Sequence, residues 1–153
     1  MNKEELQEAQ DKLENLGKNE RWKPNKDTLY WFLNSAGKID CNYFSLDIDE
    51  QRYNAYNCFQ TQEEAQREAN KILIRRKLEG IARRLNGDEK IDWHDINQNK
   101  YCIYYDCCSD DLELDNTWTC PSPGVVYCLS KDFLQTAIKE IGARELADYI
   151  TGQ

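Results

Sequence analysis

Tyr56-Asn57-Cys58-Phe59-Gln60-Thr61-Gln62-Glu63-Glu64-Ala65 holds the change from strand to helix that decides the fold. Tyr56 to Phe59 is a short strand candidate. Thr61-Gln62-Glu63-Glu64 is a capping box, in which the Thr61 hydroxyl takes a free amide of the first helical turn and Glu64 reaches back. The helix so opened is expected to run to about Leu85 and to end at Asn86-Gly87. Its apolar stripe changes sides. Ala65, Ala69 and Ile72 share one side, whereas Ile74, Leu78, Ile81 and Leu85 lie nearly opposite at 100° per residue. Such a helix must kink near residue 75 or bury its halves against different surfaces.

Upstream, Thr28 to Leu33 is aromatic and β-prone, Asn34-Ser35-Ala36-Gly37 is a turn, and Ile39 to Phe44 completes a hairpin signal. Residues 45–54 are acidic and read as a loop. Residues 18–27 are polar, contain Pro24 and read as a linker. Residues 1–17 read as a helix with Leu6, Ala9, Leu13 and Leu16 at a and d heptad positions and Gly17 as its C-cap. Two turns of apolar stripe do not hold a lone helix in water. This one must pack on the body or on a second copy, and Leu6, Leu13 and Leu16 are the candidate dimer seam.

Downstream, Ile91 to Ile96 is ambiguous and Tyr101 to Tyr105 is a strand. Asp106 to Asn116 is an acidic connection with room for a short strand. Thr117 to Cys120 is another short candidate, stopped by Pro121-Ser122-Pro123-Gly124, and Val125 to Leu129 is a strand. Ser130 is placed to cap a helix whose inner face carries Phe133, Leu134, Ala137, Ile138 and Ile141. Gly142 interrupts it, and Glu145 to Ile150 forms a last turn or two. Asn57 to Thr61 and Val126 to Ser130 echo each other, both leading from strand into helix. The expected fold is α+β: an antiparallel sheet with helices packed on one face, preceded by an N-terminal helix. The segments are residues 1–17, a linker at 18–27 and an α+β domain at 28–153.

The chain of 153 residues is 40% apolar and carries four Trp, nine Tyr and four Phe, enough for a core. No apolar run is long enough to span a membrane. With 28 acids against 20 bases the net charge is −8, which favours basic partners and repels nucleic acid at long range. Met1-Asn2-Lys3-Glu4-Glu5 does not open like a secretory signal. A cytoplasmic protein is therefore expected, with its seven cysteines reduced and mostly small core residues.

The chemical motifs are sparse. Cys102, Cys107, Cys108, Cys120 and Cys128 lack the tight pairs of a zinc site, and adjacent Cys107 and Cys108 would point apart if a strand ran through them. No metal and no cofactor are expected. The single histidine, His94, sits in Asp92-Trp93-His94-Asp95, and no nucleophile elbow, phosphate loop or zinc-protease motif is present. The chain is thus expected not to be an enzyme. Two charged surfaces remain. Arg67, Lys71 and Arg75 step along one edge of the long helix at i+4 spacing, and Arg76, Lys77, Arg83 and Arg84 add density, a stripe suited to phosphates, although pairs such as Glu63–Arg67 and Glu79–Arg83 would neutralise part of it. Asp106, Asp110, Asp111, Glu113 and Asp115 crowd ten residues, with Asp47, Asp49 and Glu50 as a smaller group. Carboxylates spaced on a sheet edge can imitate a phosphate backbone and fill a cationic channel.

Several segments together resemble a family of small phage- and prophage-encoded accessory proteins. They are Trp22-Lys23-Pro24, Tyr30-Trp31-Phe32 with Gly37 and Ile39, Arg52-Tyr53, Asn57 to Ala65, Trp93, Lys100 to Asp106, Tyr127 to Ser130 and Ala137 to Gly142. The resemblance implies an accessory role in a phage or its bacterial host, such as inhibition of a defence system in the manner of anti-CRISPR proteins. The partner would then be a host protein such as a defence nuclease. The alternatives are a nucleic-acid-binding regulator using the 67–84 helix and a phage structural or assembly component.

Overall fold

A computed structural model describes residues 21–117 and 120–152. The expected N-terminal helix, with Leu6, Leu13 and Leu16, lies outside the described residues, as do residues 118 and 119 of the short strand expected over Thr117–Cys120. The elements are β1 (Leu29–Leu33), β2 (Ile39–Tyr43), α1 (Asp47–Asn54), α2 (Gln62–Asn86), β3 (Lys100–Asp106), β4 (Asp111–Thr117), α3 (Phe133–Ile141) and α4 (Ala143–Thr151). The chain is α+β with antiparallel strands. Where one sheet was expected, the strands form two separate two-stranded sheets, β1-β2 and β3-β4. The chain divides between Gln66 and Arg67 into two compact units. Among the described residues no helix is long and apolar enough to cross a membrane.

In the first unit Leu29 stands opposite Tyr43 and Leu33 opposite Ile39. The Asn34 side chain closes the turn, its Oδ1 accepting the amides of Ala36 at 3.0 Å and Lys38 at 3.1 Å. Gly37 takes the left-handed φ of 73° that the turn demands. The strand expected over Tyr56–Phe59 shrinks to one bridge, Trp31 to Phe59. Tyr56 has φ 59°, which no strand accepts, and the Asn57 carboxamide replaces a strand residue by bonding both the amide and the carbonyl of Leu33. Residues 45–54, expected as a loop, contain helix α1. Its first turn is acidic and its buried residue is Asp49, so it shows none of the apolar period by which a helix is read. The described end of the expected linker is packed: Pro24 is buried, and the Arg21 guanidinium stacks on Tyr53 at 3.7 Å and Tyr56 at 4.1 Å.

The capping box forms as read. Thr61 Oγ1 accepts the Glu64 amide at 3.2 Å, and Glu64 Oε2 accepts the amides of Gln60 at 3.0 Å and Thr61 at 3.3 Å. Thr61→Ala is expected to cost about 1 kcal/mol in a urea melt. Helix α2 runs over Gln62–Asn86; Ala65, in the first unit, is buried, and Leu78, Ile81 and Ala82 belong to the core of the second unit.

In the second unit Ile103 pairs with Leu114 and Tyr105 with Leu112. These four side chains join a core built from Leu78, Ile81, Cys128, Phe133, Ala137 and Leu146. The acidic connection expected over Asp106–Asn116 therefore contains a full strand, β4, whose inward residues are Leu112 and Leu114. Helix α3 carries the expected inner face, and α4 follows after Gly142 at φ 108°. Two expectations fail locally. Val125–Leu129 is not a strand but a single bridge, Cys128 to Tyr101. Asn86 Oδ1 takes the Leu129 amide at 2.8 Å, so no further ladder is needed there. Helix α3 starts at Phe133 rather than directly after Ser130, whose hydroxyl instead accepts the Asp132 amide at 3.2 Å in the preceding turn. The echo in the sequence has a counterpart in the backbone. Phe59 and Cys128 each bridge the first strand of their hairpin just before a helix.

Candidate functional site

Alternation along the second hairpin separates two faces. With Ile103, Tyr105, Leu112 and Leu114 turned to the core, Cys102, Tyr104, Asp106, Asp111, Glu113 and Asp115 face away from it. Asp110 lies in the turn at the tip, at φ 56°. The structure thus gathers the five expected acidic residues on one hairpin. Asp110, Asp111 and Asp115 are exposed, and Asp106 and Glu113 are half-buried. Asp106 stands directly opposite Asp111, a like-charge pair that costs stability.

Local hydrogen bonds hold these carboxylates in place. Glu113 accepts the Tyr104 hydroxyl at 2.7 Å and the Ser109 hydroxyl at 3.2 Å. Asp106 Oδ1 accepts the Cys108 amide at 3.0 Å, and that bond first of all lowers the Asp106 pKa. Asp110 accepts the Tyr105 hydroxyl. The bond to Glu113 pushes the Tyr104 phenol up to about 12, and Asp110 raises that of Tyr105. Both phenols therefore stay neutral donors near pH 7. Among the described residues none of the five carboxylates has an ion pair; the acids so paired are Glu50, Asp49, Glu79, Glu140 and Asp92.

The basic edge of α2 is partly neutralised. Arg75 Nε pairs with Glu79 at 2.9 Å, so Glu79 turns toward Arg75 and not toward Arg83 as expected. Arg84 pairs with Glu140. Arg76 and Arg83 are exposed and have no ion pair among the described residues. They lie seven residues apart, on one side of the helix.

The most tightly bonded polar group was missed from sequence. Asp49, fully buried, accepts the Tyr30 hydroxyl at 2.5 Å, Arg52 Nη1 at 3.1 Å and Asn42 Nδ2 at 3.2 Å on Oδ1. Its Oδ2 accepts the amides of Ser45 and Leu46, each at 2.9 Å. Burial alone would raise its pKa. The Tyr30 hydrogen bond and then the two amides outweigh that and set it at about 2. Tyr30 is pushed up to about 12, first by burial and then by its bond to Asp49. Arg52 closes the group, donating to Tyr30 Oη at 2.8 Å and stacking on Phe32 at 3.7 Å. Its donors come from the β1-β2 hairpin, from Ser45 and Leu46 and from α1 itself, so the group pins α1 to the first hairpin. Asp49 thereby leaves the smaller acidic cluster. The signal was its place in the first turn after Ser45-Leu46, where a carboxylate can reach back to cap.

The remaining candidates offer little chemistry. The His94 side chain is fully exposed and faces Asp92 at 3.5 Å. Contrary to expectation most cysteines are not core: Cys128 is buried, Cys58 and Cys102 are half-buried, and Cys41, Cys107, Cys108 and Cys120 are exposed. Burial pushes Cys58 up to about 11 and raises Cys102 and Cys128, so these three remain thiols at neutral pH. Among the described residues no three His, Cys, Asp or Glu are placed to hold a metal ion. A groove of about 310 Å³ in the second unit is walled by apolar side chains such as Leu78, Ile103, Val126 and Ile150, with Tyr149 at its edge. It lacks the convergent polar groups that orient a ligand. Lys100 is fully buried, and its Nζ is bonded at 2.8 Å to the carbonyls of Asp95 and Gln98. It fastens the preceding loop to β3.

Comparison with known protein families, characterised proteins and solved structures finds no match for this chain.

Proposed function

We propose that this chain is a binding protein that works by occupying a basic partner surface with the outer face of the β3-β4 hairpin, with no bond made or broken. One observation carries the reading: five carboxylates share a hairpin, none is neutralised by an ion pair among the described residues, and two of them repel across the ladder. A fold optimised for stability alone would spread such charges. Tyr104, exposed and fixed by Glu113, supplies an aromatic anchor in the middle of the face. The partner favoured is a host protein with a cationic nucleic-acid channel. The resemblance to phage accessory proteins makes a defence nuclease in the bacterial cytoplasm the leading form of that reading.

The test is capture from bacterial lysate by the full chain and by the quadruple variant Asp110→Asn/Asp111→Asn/Glu113→Gln/Asp115→Asn. Asp106 is kept because it caps the Cys108 amide. A nucleic-acid-binding protein retained by the parent chain and reduced at least about tenfold with the variant supports the reading. Equal retention by both sinks it. Arg76 and Arg83 favour a second reading, nucleic-acid binding along α2. A gel shift weakened by salt and abolished in Arg76→Ala/Arg83→Ala would support that one instead.

A further inference from the structure

We infer that Cys107 and Cys108 form a redox-sensitive dithiol that closes reversibly into a vicinal disulfide by exchange with a low-molecular-weight disulfide. Adjacent side chains in a strand leave on opposite faces, which would hold neighbouring thiols apart. Here β3 ends at Asp106 and β4 starts at Asp111, so both cysteines lie in the four-residue turn between them. Both are exposed. The turn is fastened on either side of the pair. Asp106 Oδ1 holds the Cys108 amide at 3.0 Å, and Asp110, at φ 56°, receives the Tyr105 hydroxyl. The two cysteines are thus neighbours in a turn that does not force them to opposite faces, and both are open to a small reagent.

The chemistry sets the character of the bond. Neighbouring Cα atoms are about 3.8 Å apart across a trans peptide, below the ~4.4–6.8 Å that an ordinary disulfide spans. The ring closes under strain, and a strained, exposed disulfide is readily reduced. It therefore suits a switch and not a structural staple. One thiolate attacks a sulfur of glutathione disulfide, forming a mixed disulfide and expelling one glutathione thiolate. The second thiolate attacks the protein sulfur of the mixed disulfide, closing the ring and expelling the other. Two cysteine thiols are oxidised and one disulfide is reduced to two thiols, which take up the two protons. The ring would lie between Asp106 and Asp110 and alter the spacing of the first carboxylates of the acidic face. The inference rests on the turn and not on the identity of any partner.

The test uses the full chain equilibrated in glutathione mixtures of rising oxidised fraction, with free thiols trapped by iodoacetamide before digestion and mass spectrometry. The expected result is a peptide spanning both residues that loses both alkyl groups together, is two hydrogens lighter than the dithiol and returns to the doubly alkylated form after dithiothreitol. Double alkylation in every mixture, stable glutathione adducts in place of the ring, or a disulfide from either residue to Cys120 would overturn it.

Discussion

Asp49→Ala is expected to destabilise the folded chain by about 3–5 kcal/mol, because a fully buried carboxylate that accepts five hydrogen bonds is removed at once. The substitution leaves the Tyr30 hydroxyl, one Arg52 donor and the Ser45 and Leu46 amides without their shared acceptor. Urea unfolding measures it. Tyr30→Phe keeps the ring in place and removes the hydroxyl's two hydrogen bonds, to Asp49 and from Arg52, while the Asp49–Arg52 pair and the two amide hydrogen bonds remain, so its cost should be nearer about 1–2 kcal/mol. A cost below about 1 kcal/mol for Asp49→Ala would mean that the network does not pin α1. The same groups set a pH dependence. Asp49 has its pKa depressed to about 2, so its contribution is present above the unfolded value near 4 and disappears as pH falls through 2. That loss amounts to roughly 2–3 kcal/mol. Tyr30 has the opposite sign: raised to about 12, it contributes fully below pH 10 and ceases to contribute as pH climbs through 12. Urea midpoints should therefore be flat between about pH 5 and 9 and fall on both sides.

Phe133→Ala is expected to cost a further, independent 3–5 kcal/mol or so in the second unit. Phe133 is 1% exposed and belongs to the buried cluster that includes Leu78, Ile81, Leu112 and Ala137. It also borders the apolar groove, so truncation widens a space that already exists and the neighbours gain no easy route to collapse. Leu134→Ala, half-buried one position along, should cost less, and exposed Gln135→Ala should stay within about 0.5 kcal/mol. If all three variants unfold at the same urea concentration, α3 does not supply the core described.

What the sequence revealed and what it hid follow from the range of the forces involved. The Thr61 capping box and the Asn34–Gly37 turn are settled within a few residues, so both appear as read. The apolar face of α3 repeats at helical spacing and was equally plain. Helix α1 was hidden because what it buries is a carboxylate, and its partners Tyr30 and Asn42 come from the preceding hairpin. Strand β4 was obscured because only Leu112 and Leu114 alternate with a run of acids that reads as solvated loop. Val125–Leu129 looked like a strand by composition, yet the side chain of Asn86 supplies the acceptor that a neighbouring strand would have offered. The acidic residues of the candidate site were visible as a cluster. Their common face was not, because it depends on the register that sets Asp106 against Asp111.

Equilibrium affinity for the captured partner across a salt series, with the parent chain and the quadruple acidic variant, tests the surface-charge account most directly. The account predicts that the parent weakens steeply as salt rises, and that the variant binds at least about tenfold less tightly with a shallower dependence. Tight binding indifferent to salt and equal for the two proteins would contradict it.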